Sequence, residues 1–268
     1  MALPGLTHLT GRGVAALRRF AAAAVQGIAS VTALVRRHAE ECLKHGSTEA
    51  RVYGPVVRIA VAALKGGTGK TSTAVGLAET LAAMGQQVVL VDTDPQGSAM
   101  RWSSAAAEDG KGGLRAVVVA MPTADLARRL PTVTATADAV VLDTPPGHVA
   151  TVRAAITAAQ VVVVPMAPTL LDLDRVSATL DLARDANRPA VILLNRTRAR
   201  TRSLAGVREA LDAAELPVLS VDVPQREAVA TAWGLLVAIE LRQLYQPIID
   251  ELQGALGNLN NRPSEEQP

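Results

Sequence analysis

Short apolar runs alternate with helix-length segments from residue 56 onward, and this alternation leaves few folds open to the chain. Six runs are candidate strands, at residues 56–63, 87–91, 115–120, 139–142, 161–165 and 190–194. Each run is apolar along nearly its whole length, which is typical of parallel strands that helices cover on both faces. The pattern therefore predicts an α/β fold with a doubly wound, mostly parallel sheet flanked by helices in three layers.

Two segments flank this alternation and divide the chain into three predicted parts. Residues 1–54 form an N-terminal helical extension, residues 55–257 the α/β domain and residues 258–268 a polar, disordered tail. A heptad-like apolar stripe between residues 10 and 43 predicts a long helix in the extension. Its uncharged part is shorter than the roughly 20 residues that a membrane span needs, so we expect it to lie on the α/β domain or on a partner.

Composition narrows the cellular setting more than the function. The single cysteine, Cys42, cannot close an intramolecular disulfide, and the first residues do not have the pattern of an export signal. We therefore expect a cytoplasmic protein. The formal net charge of +2 is too small to indicate a nucleic-acid partner.

A glycine-rich loop, LKGGTGKTS at residues 64–72, follows the first candidate strand and precedes a helical pattern at residues 73–84. Glycines let backbone N–H groups turn inward around phosphates, and the start of a helix adds its positive dipole end. Lys70 can reach the terminal phosphates, and the Thr71 hydroxyl can bind Mg²⁺. The residues expected to contact a nucleotide are Lys65, Gly66, Gly67, Thr68, Gly69, Lys70, Thr71 and Ser72.

Aspartates end two further candidate strands, in DTDPQG at residues 92–97 and in LDTPPG at residues 142–147. The carboxyl ends of parallel strands share one edge of a sheet, where ligands bind. Asp92, Asp94 and Asp143 can therefore converge on the phosphates and metal ion held by the glycine-rich loop. Each aspartate alone could instead cap the helix that follows its strand.

Three motifs in this order resemble those of one family. KGGTGKT at residues 65–71 resembles the deviant Walker A motif of the ParA and MinD superfamily of P-loop NTPases. DTDPQG resembles the second motif of ParA-type partition ATPases, and VVLDTPPG at residues 140–147 resembles their Walker B segment and switch II. The resemblance to these ATPases extends over residues 56–256.

The resemblance implies ATP and Mg²⁺ as cofactors and assigns roles to individual side chains. Lys65, Lys70 and Asp94 would be catalytic, with Asp94 positioning the attacking water and Lys65 reaching into the phosphate site of a partner subunit. Thr71, Asp94 and Asp143 would hold the metal ion. The resemblance leaves the role of Asp92 open.

Two further matches concern the base of the nucleotide and a DNA surface. By resemblance, Asn195 and Pro224 would contact the adenine, although Asn195 could equally be a turn residue. The arginine loop at residues 196–202 alternates arginines with small residues and could neutralise DNA phosphates without reading bases, or could simply be a solvated surface. The predicted DNA-binding residues are Arg196, Arg198, Arg200 and Arg202.

The resemblance implies a nucleoid-associated ATPase that forms an ATP-bound homodimer, binds nonspecific DNA and partitions plasmids or chromosomes. Its weak hydrolysis would be stimulated by a ParB-like partner. Alternatives are a MinD-like membrane-cycling ATPase and a metabolic ligase of the dethiobiotin synthetase type. The final predicted helix, at residues 241–256, has no basic stripe that would favour a membrane partner. The extension at residues 1–54 is shorter than the operator-binding region of larger ParA proteins, and its function is left open.

Overall fold

The computed structural model of the protein describes residues 57–108, 113–169, 172–225 and 239–260. The predicted extension at residues 1–54 lies outside the described residues. The strands are β1 Val57–Val61, β2 Val88–Asp92, β3 Val117–Ala120, β4 Ala139–Asp143, β5 Val161–Met166, β6 Ala190–Thr197 and β7 Val223–Pro224. The helices are α1 Lys70–Ala83, α2 Ser98–Glu108, α3 Leu126–Val133, α4 Val149–Ala158, α5 Leu173–Asp185, α6 Arg202–Ala213 and α7 Ile239–Asn260.

All seven strands join one parallel sheet in the order β3-β2-β4-β1-β5-β6-β7. The six predicted strands are present, and the predicted fold class is confirmed. Helices connect successive strands because the chain must return to the starting edge of the sheet before it can form another parallel strand, and a tight turn cannot span that distance. No helix in the described ranges has the length and apolar character that crossing a bilayer requires.

The helices cover both faces of the sheet, and alternate side chains of each strand reach opposite layers. In β1, Ile59 and Val61 join the apolar cluster formed with α1, α2 and α7, whereas Ala60 joins the cluster formed with α3 and α4. A third cluster packs α4, α5 and α6 against β5 and β6. The continuous apolar runs are therefore explained by burial on two sides.

Three local boundaries differ from the sequence prediction. Helix α1 begins at Lys70, not at residue 73, because Gly69 in the left-handed conformation at φ 88° turns the chain directly into the first helical turn. Val223 and Pro224, which are not among the six predicted strands, form the edge strand β7, where Pro224 is tolerated because only one side of that strand is paired. Helix α7 continues to Asn260 and so includes residues 258–260 of the predicted tail, while residues 261–268 lie outside the described ranges.

Helices α1 and α7 approach each other closely at Gly76. Tyr245 of α7 is completely buried, and its ring lies where a Cβ atom on Gly76 would be. The absence of a side chain at Gly76 therefore lets α7 pack directly on the helix that begins with Lys70. This contact joins α7 to the helix that follows the glycine-rich loop.

Replacing Gly76 with alanine is expected to destabilise the fold although alanine is the better helix former. Overpacking against the Tyr245 ring should lower the free energy of unfolding by about 1–3 kcal/mol. The matched control is Gly206→Ala in α6, where a Cβ atom meets nothing within 4 Å. That variant should be stabilised by up to about 1 kcal/mol. Urea denaturation measures both, and equal effects at the two positions would contradict the packing argument.

Candidate functional site

The sheet register brings three sequence motifs to one edge. Strand β4 lies between β2 and β1, and Asp143 at its end pairs in register with Asp92 of β2 and with Val61 of β1. The glycine-rich loop follows β1, so it begins beside Asp143. The residues that the sequence analysis expected to converge are therefore neighbours at the carboxyl edge of the sheet, the position at which open α/β sheets bind ligands.

The glycine-rich loop is held in place by backbone contacts and by its own lysine. Gly67 and Gly69 have φ values of 73° and 88°, which L side chains rarely adopt. The Nζ atom of Lys70 donates a hydrogen bond to the carbonyl oxygen of Lys65 at 2.9 Å, curling the loop around this buried amine. The amide of Gly147, in the second acidic motif, donates to the carbonyl of Leu64 at 3.1 Å.

Burial gives Asp143 an unusual protonation equilibrium. The residue is fully buried, and neither carboxylate oxygen has a hydrogen bond of acceptable geometry within the described ranges. Burial raises the pKa of Asp143 to about 7; the Thr71 hydroxyl and Lys70 oppose this rise, while Asp92 and Asp94 add to it. Burial likewise lowers the pKa of Lys70, although the nearby Asp143 and Asp94 carboxylates raise it. The site therefore holds a buried carboxylate without a hydrogen-bond partner among the described residues.

A buried carboxylate without a hydrogen-bond partner, beside a threonine hydroxyl, fits a magnesium site. Mg²⁺ prefers oxygen ligands, takes one or two from the protein and keeps waters and phosphate oxygens for the rest. The described residues contain no group of three or more His, Cys, Asp or Glu side chains arranged for a metal ion. Thr71 and Asp143 are the side chains that would hold the ion.

The two aspartates of DTDPQG have different surroundings. Asp92 is buried, and its carboxylate accepts hydrogen bonds from the amides of Ala99 and Met100 at 2.9 and 3.0 Å. It therefore binds the first turn of α2, which is the capping role that sequence reasoning kept as an alternative. Asp94 is partly exposed and accepts a bond from the amide of Gln96. Asp94 thus keeps carboxylate capacity for a ligand.

Lys65 has a partner that the sequence analysis missed. Its Nζ atom forms an ion pair with Asp172, which follows β5 and directly precedes α5. The Lys65 side chain is 39% exposed, whereas that of Asp172 is only 4% exposed. The position of Asp172 could have indicated this contact, because the residue follows β5, a neighbour of β1, at the same edge of the sheet as the two acidic motifs.

Asn195 contacts the glycine-rich loop itself. Its Nδ2 atom donates a hydrogen bond to the carbonyl of Thr68 at 3.0 Å, and its Oδ1 atom accepts from the amide of Arg196 at 2.8 Å. Both ends of this buried side chain are thus engaged by the backbone, so the residue does more than terminate a turn. Contact of Asn195 and Pro224 with an adenine stays a prediction.

The arginine loop lies at the carboxyl end of β6, on the same edge of the sheet as the glycine-rich loop. Its four arginines are all exposed. Arg196 and Arg200 have φ values of 56° and 60°, and Arg198 donates to the Gln225 side chain at 3.0 Å. The loop therefore presents several guanidinium groups to solvent without an acidic partner among the described ion pairs.

The raised pKa of Asp143 predicts a pH-dependent stability in the absence of metal and nucleotide. The pKa of Asp143 is 3.8 in its ordinary state and about 7 in the folded protein, so between pH 3.8 and about pH 7 the folded protein keeps a proton on Asp143 that the unfolded chain has released. The stabilisation is therefore complete below pH 4 and is lost as the pH rises through 7, on the order of 2 kcal/mol between pH 5 and pH 8. Denaturation in EDTA at both pH values should reveal this loss in the wild type and a flatter profile in Asp143→Asn. Parallel profiles would contradict the assignment.

Comparison with known proteins gives this geometry a family. Residues 59–234 match the family described as the CobQ/CobB/MinD/ParA nucleotide binding domain. The chromosome-partitioning ATPase Soj of Thermus thermophilus is 54% identical over 55 residues, 20% of this chain and 22% of that protein. Maintenance of carboxysome distribution protein A of Gloeobacter kilaueensis is 43% identical over 116 residues, 43% of this chain and 51% of that protein. The chain thus spans about a fifth of the first relative and about half of the second.

Solved structures share the fold at low sequence identity. An ATP complex of a Cyanothece McdA variant has a TM-score of 0.59 and 16% identity, covering 79% of this chain and 99% of that one. Cobyrinic acid a,c-diamide synthase of Mycobacterium smegmatis, with bound ADP and magnesium, has a TM-score of 0.58 and 21% identity, covering 74% and 96%. The family match covers most of the chain, and it includes the glycine-rich loop and both acidic motifs. The protein belongs to the CobQ/CobB/MinD/ParA family of nucleotide-binding domains.

Proposed function

We propose that this protein is a dimerising ATPase of the ParA type that uses ATP and Mg²⁺ and binds DNA nonspecifically to partition a plasmid or chromosome. One observation carries the proposal: the glycine-rich loop places Lys70 and Thr71 beside the unpaired, buried carboxylate of Asp143. A buried charge of this kind is unfavourable in the free protein and favourable beside a cation. The site is thus suited to a magnesium-bound triphosphate.

Each side chain then has a physical task in phosphoryl transfer. Backbone amides of the glycine-rich loop and the N-terminus of α1 bind the phosphates, and Lys70 exchanges its bond with the Lys65 carbonyl for phosphate oxygens. A bound Mg²⁺ would neutralise charge on the phosphate oxygens. Asp94 orients a water molecule for attack on the terminal phosphate. Lys65 reaches into the phosphate site of the second subunit, so ATP joins the two copies.

Weak hydrolysis follows from the division of the site between two chains. Stabilisation of the transferred phosphoryl group depends on groups positioned before reaction, and a missing cation can slow the reaction by a factor of about 10³ or more. Lys65 would reach the partner's phosphate only in the dimer. A ParB-like partner would complete the arrangement and stimulate turnover, which suits a switch better than a metabolic enzyme.

The names of the sequence relatives support this proposal. The relatives with the higher sequence identities are named for chromosome partitioning and for carboxysome distribution, and solved members of the fold carry ATP or ADP with magnesium. Both of the first two names describe the distribution of a cellular component. The diamide synthase, at lower identity, keeps a metabolic ligase as the second candidate. A cytoplasmic, nucleoid-associated location is part of the proposal.

The proposal predicts two different defects, one in dimerisation and one in ATP hydrolysis, for two variants of the site. Lys65→Ala should lose ATP-dependent dimerisation because the cation that joins the subunits is gone. Asp94→Ala should dimerise with ATP but hydrolyse it at least about 100-fold more slowly, because the water is no longer positioned. Sedimentation velocity with ATP and Mg²⁺ measures the first property, and phosphate release measures the second.

Each variant is a control for the other, because both are expected to fold and bind ATP while each loses a different property. Equal dimer formation by the wild type and Lys65→Ala would remove the proposed role of Lys65. Rapid turnover by Asp94→Ala would reassign the water-positioning residue. Turnover that depends on a small carboxylate substrate, without any effect of DNA or protein, would favour the metabolic ligase.

DNA binding should require ATP, ignore sequence and weaken steeply with salt. We expect the double variant Arg198→Ala/Arg202→Ala to reduce the slope of log affinity against log salt by about 2, one for each lost phosphate contact. The matched control is Arg101→Ala/Arg129→Ala, which removes two exposed arginines from α2 and α3. These helices flank β3, at the other end of the strand order from β6 and β7. Fluorescence anisotropy with unrelated duplexes, at two salt concentrations and with ATP, ADP or no nucleotide, measures all three properties.

Two outcomes would contradict this part of the proposal. Equal losses in the two double variants would mean that total charge, and not the arginine loop, controls binding. ATP-dependent sedimentation with anionic liposomes in place of DNA would favour the membrane-cycling alternative.

A further inference from the structure

Lys65 is already occupied within its own chain. Its ammonium group pairs with Asp172, so it is held beside the loop from which it would have to extend. A single ammonium group bound in this way is not free to reach a second subunit. The proposed function, on which this inference rests, requires that the pair be broken before the dimer closes.

The position of Asp172 indicates that its carboxylate is reserved for this contact. Aspartate directly before a helix usually accepts hydrogen bonds from the first amides of that helix. Asp172 precedes α5 but makes no such side-chain bond within the described residues. One of its oxygens contacts Lys65, and the other is buried without a hydrogen-bond partner in the same part of the chain. The helix start is thus left uncapped while the carboxylate is directed at the glycine-rich loop.

Burial makes the pair costly to break but not inaccessible. Asp172 is almost completely covered, so loss of Lys65 leaves a buried carboxylate with no other partner among the described residues. The side chain of Lys65 is partly exposed and can leave without unfolding of its surroundings. The pair can therefore open by movement of the lysine alone.

Helix α5 also holds the loop at a neighbouring point. Leu64 directly precedes Lys65, and its amide donates a hydrogen bond to the hydroxyl of Thr179 in α5 at 3.3 Å. This neutral contact can persist when the lysine leaves. Only the ion pair has to change, which makes Asp172 the element that sets the threshold for release.

We propose that Asp172 is a positioning residue that retains Lys65 in its own subunit and so raises the ATP and protein concentrations needed for dimerisation. Retention by a buried carboxylate would keep the free protein monomeric until the triphosphates of two subunits compete for the lysines. The contact thereby opposes premature assembly without touching the nucleotide.

The test is dimerisation of Asp172→Asn, which removes the charge with little change of shape. Sedimentation over a range of protein concentrations, with saturating ATP and Mg²⁺, should place its dimerisation midpoint at least about fivefold below that of the wild type, because even a partly exposed ion pair contributes that much. Asp172→Ser, which keeps a residue favoured before helices, should shift the midpoint in the same direction. Melting temperatures establish that both variants are folded.

The matched control is Asp181→Asn, which removes one carboxylate from the exposed side of the same helix, where Asp181 pairs with Arg184. It should leave the midpoint unchanged. The double variant Lys65→Ala/Asp172→Asn should fail to dimerise, as Lys65→Ala alone does, because Asp172 acts only through the lysine. A purely structural role for Asp172 would not lower the midpoint.

Each remaining outcome decides a different claim. A midpoint of Asp172→Asn equal to or above that of the wild type overturns the retention role while the ATP-dependent dimer stands. Failure of the wild type to dimerise with ATP overturns the proposed function and, with it, this inference. A shift of the same size in Asp181→Asn would assign the effect to net charge and would also overturn the retention role.

Discussion

The rest of the site depends on the burial of one carboxylate at the carboxyl edge of the sheet. Asp143 ends a strand that lies between the two strands leading to the glycine-rich loop and to Asp94. Burial from all sides removes water from it, and no described side chain or amide replaces that water with a hydrogen bond of good geometry. A group in this state gains most from an arriving cation, which couples metal, phosphates and fold at one point.

The two lysines of the glycine-rich loop have different partners. Lys70 is buried and curls back onto a loop carbonyl within its own site. Lys65, five residues earlier in the sequence, extends the other way to a separate acidic residue, Asp172, at the start of a helix on the opposite face. The loop thus has one buried cation held by its own backbone and one partly exposed cation held by a distant carboxylate.

The nucleotide edge also connects to more distant surfaces through short contacts. Asn195 joins the glycine-rich loop to the first residue of the arginine loop, and Tyr245 packs on the helix that begins with Lys70. Both contacts are made by elements late in the chain. The glycine-rich loop and α1 are therefore in direct contact with the C-terminal half of the protein.

The sequence by itself determined the parallel sheet, its six principal strands and the meeting of three motifs at one edge, because continuous apolar runs and the end of each strand are local properties. It did not determine which of Asp92 and Asp143 would remain without partners. That difference arises because amides of α2 fold back onto Asp92 and none reaches Asp143. Nor did it identify Asp172 or the approach of Tyr245 to Gly76, since each joins residues more than a hundred positions apart. Only the three-dimensional packing of the start of α5 beside the loop and of α7 on α1 brought these groups into contact.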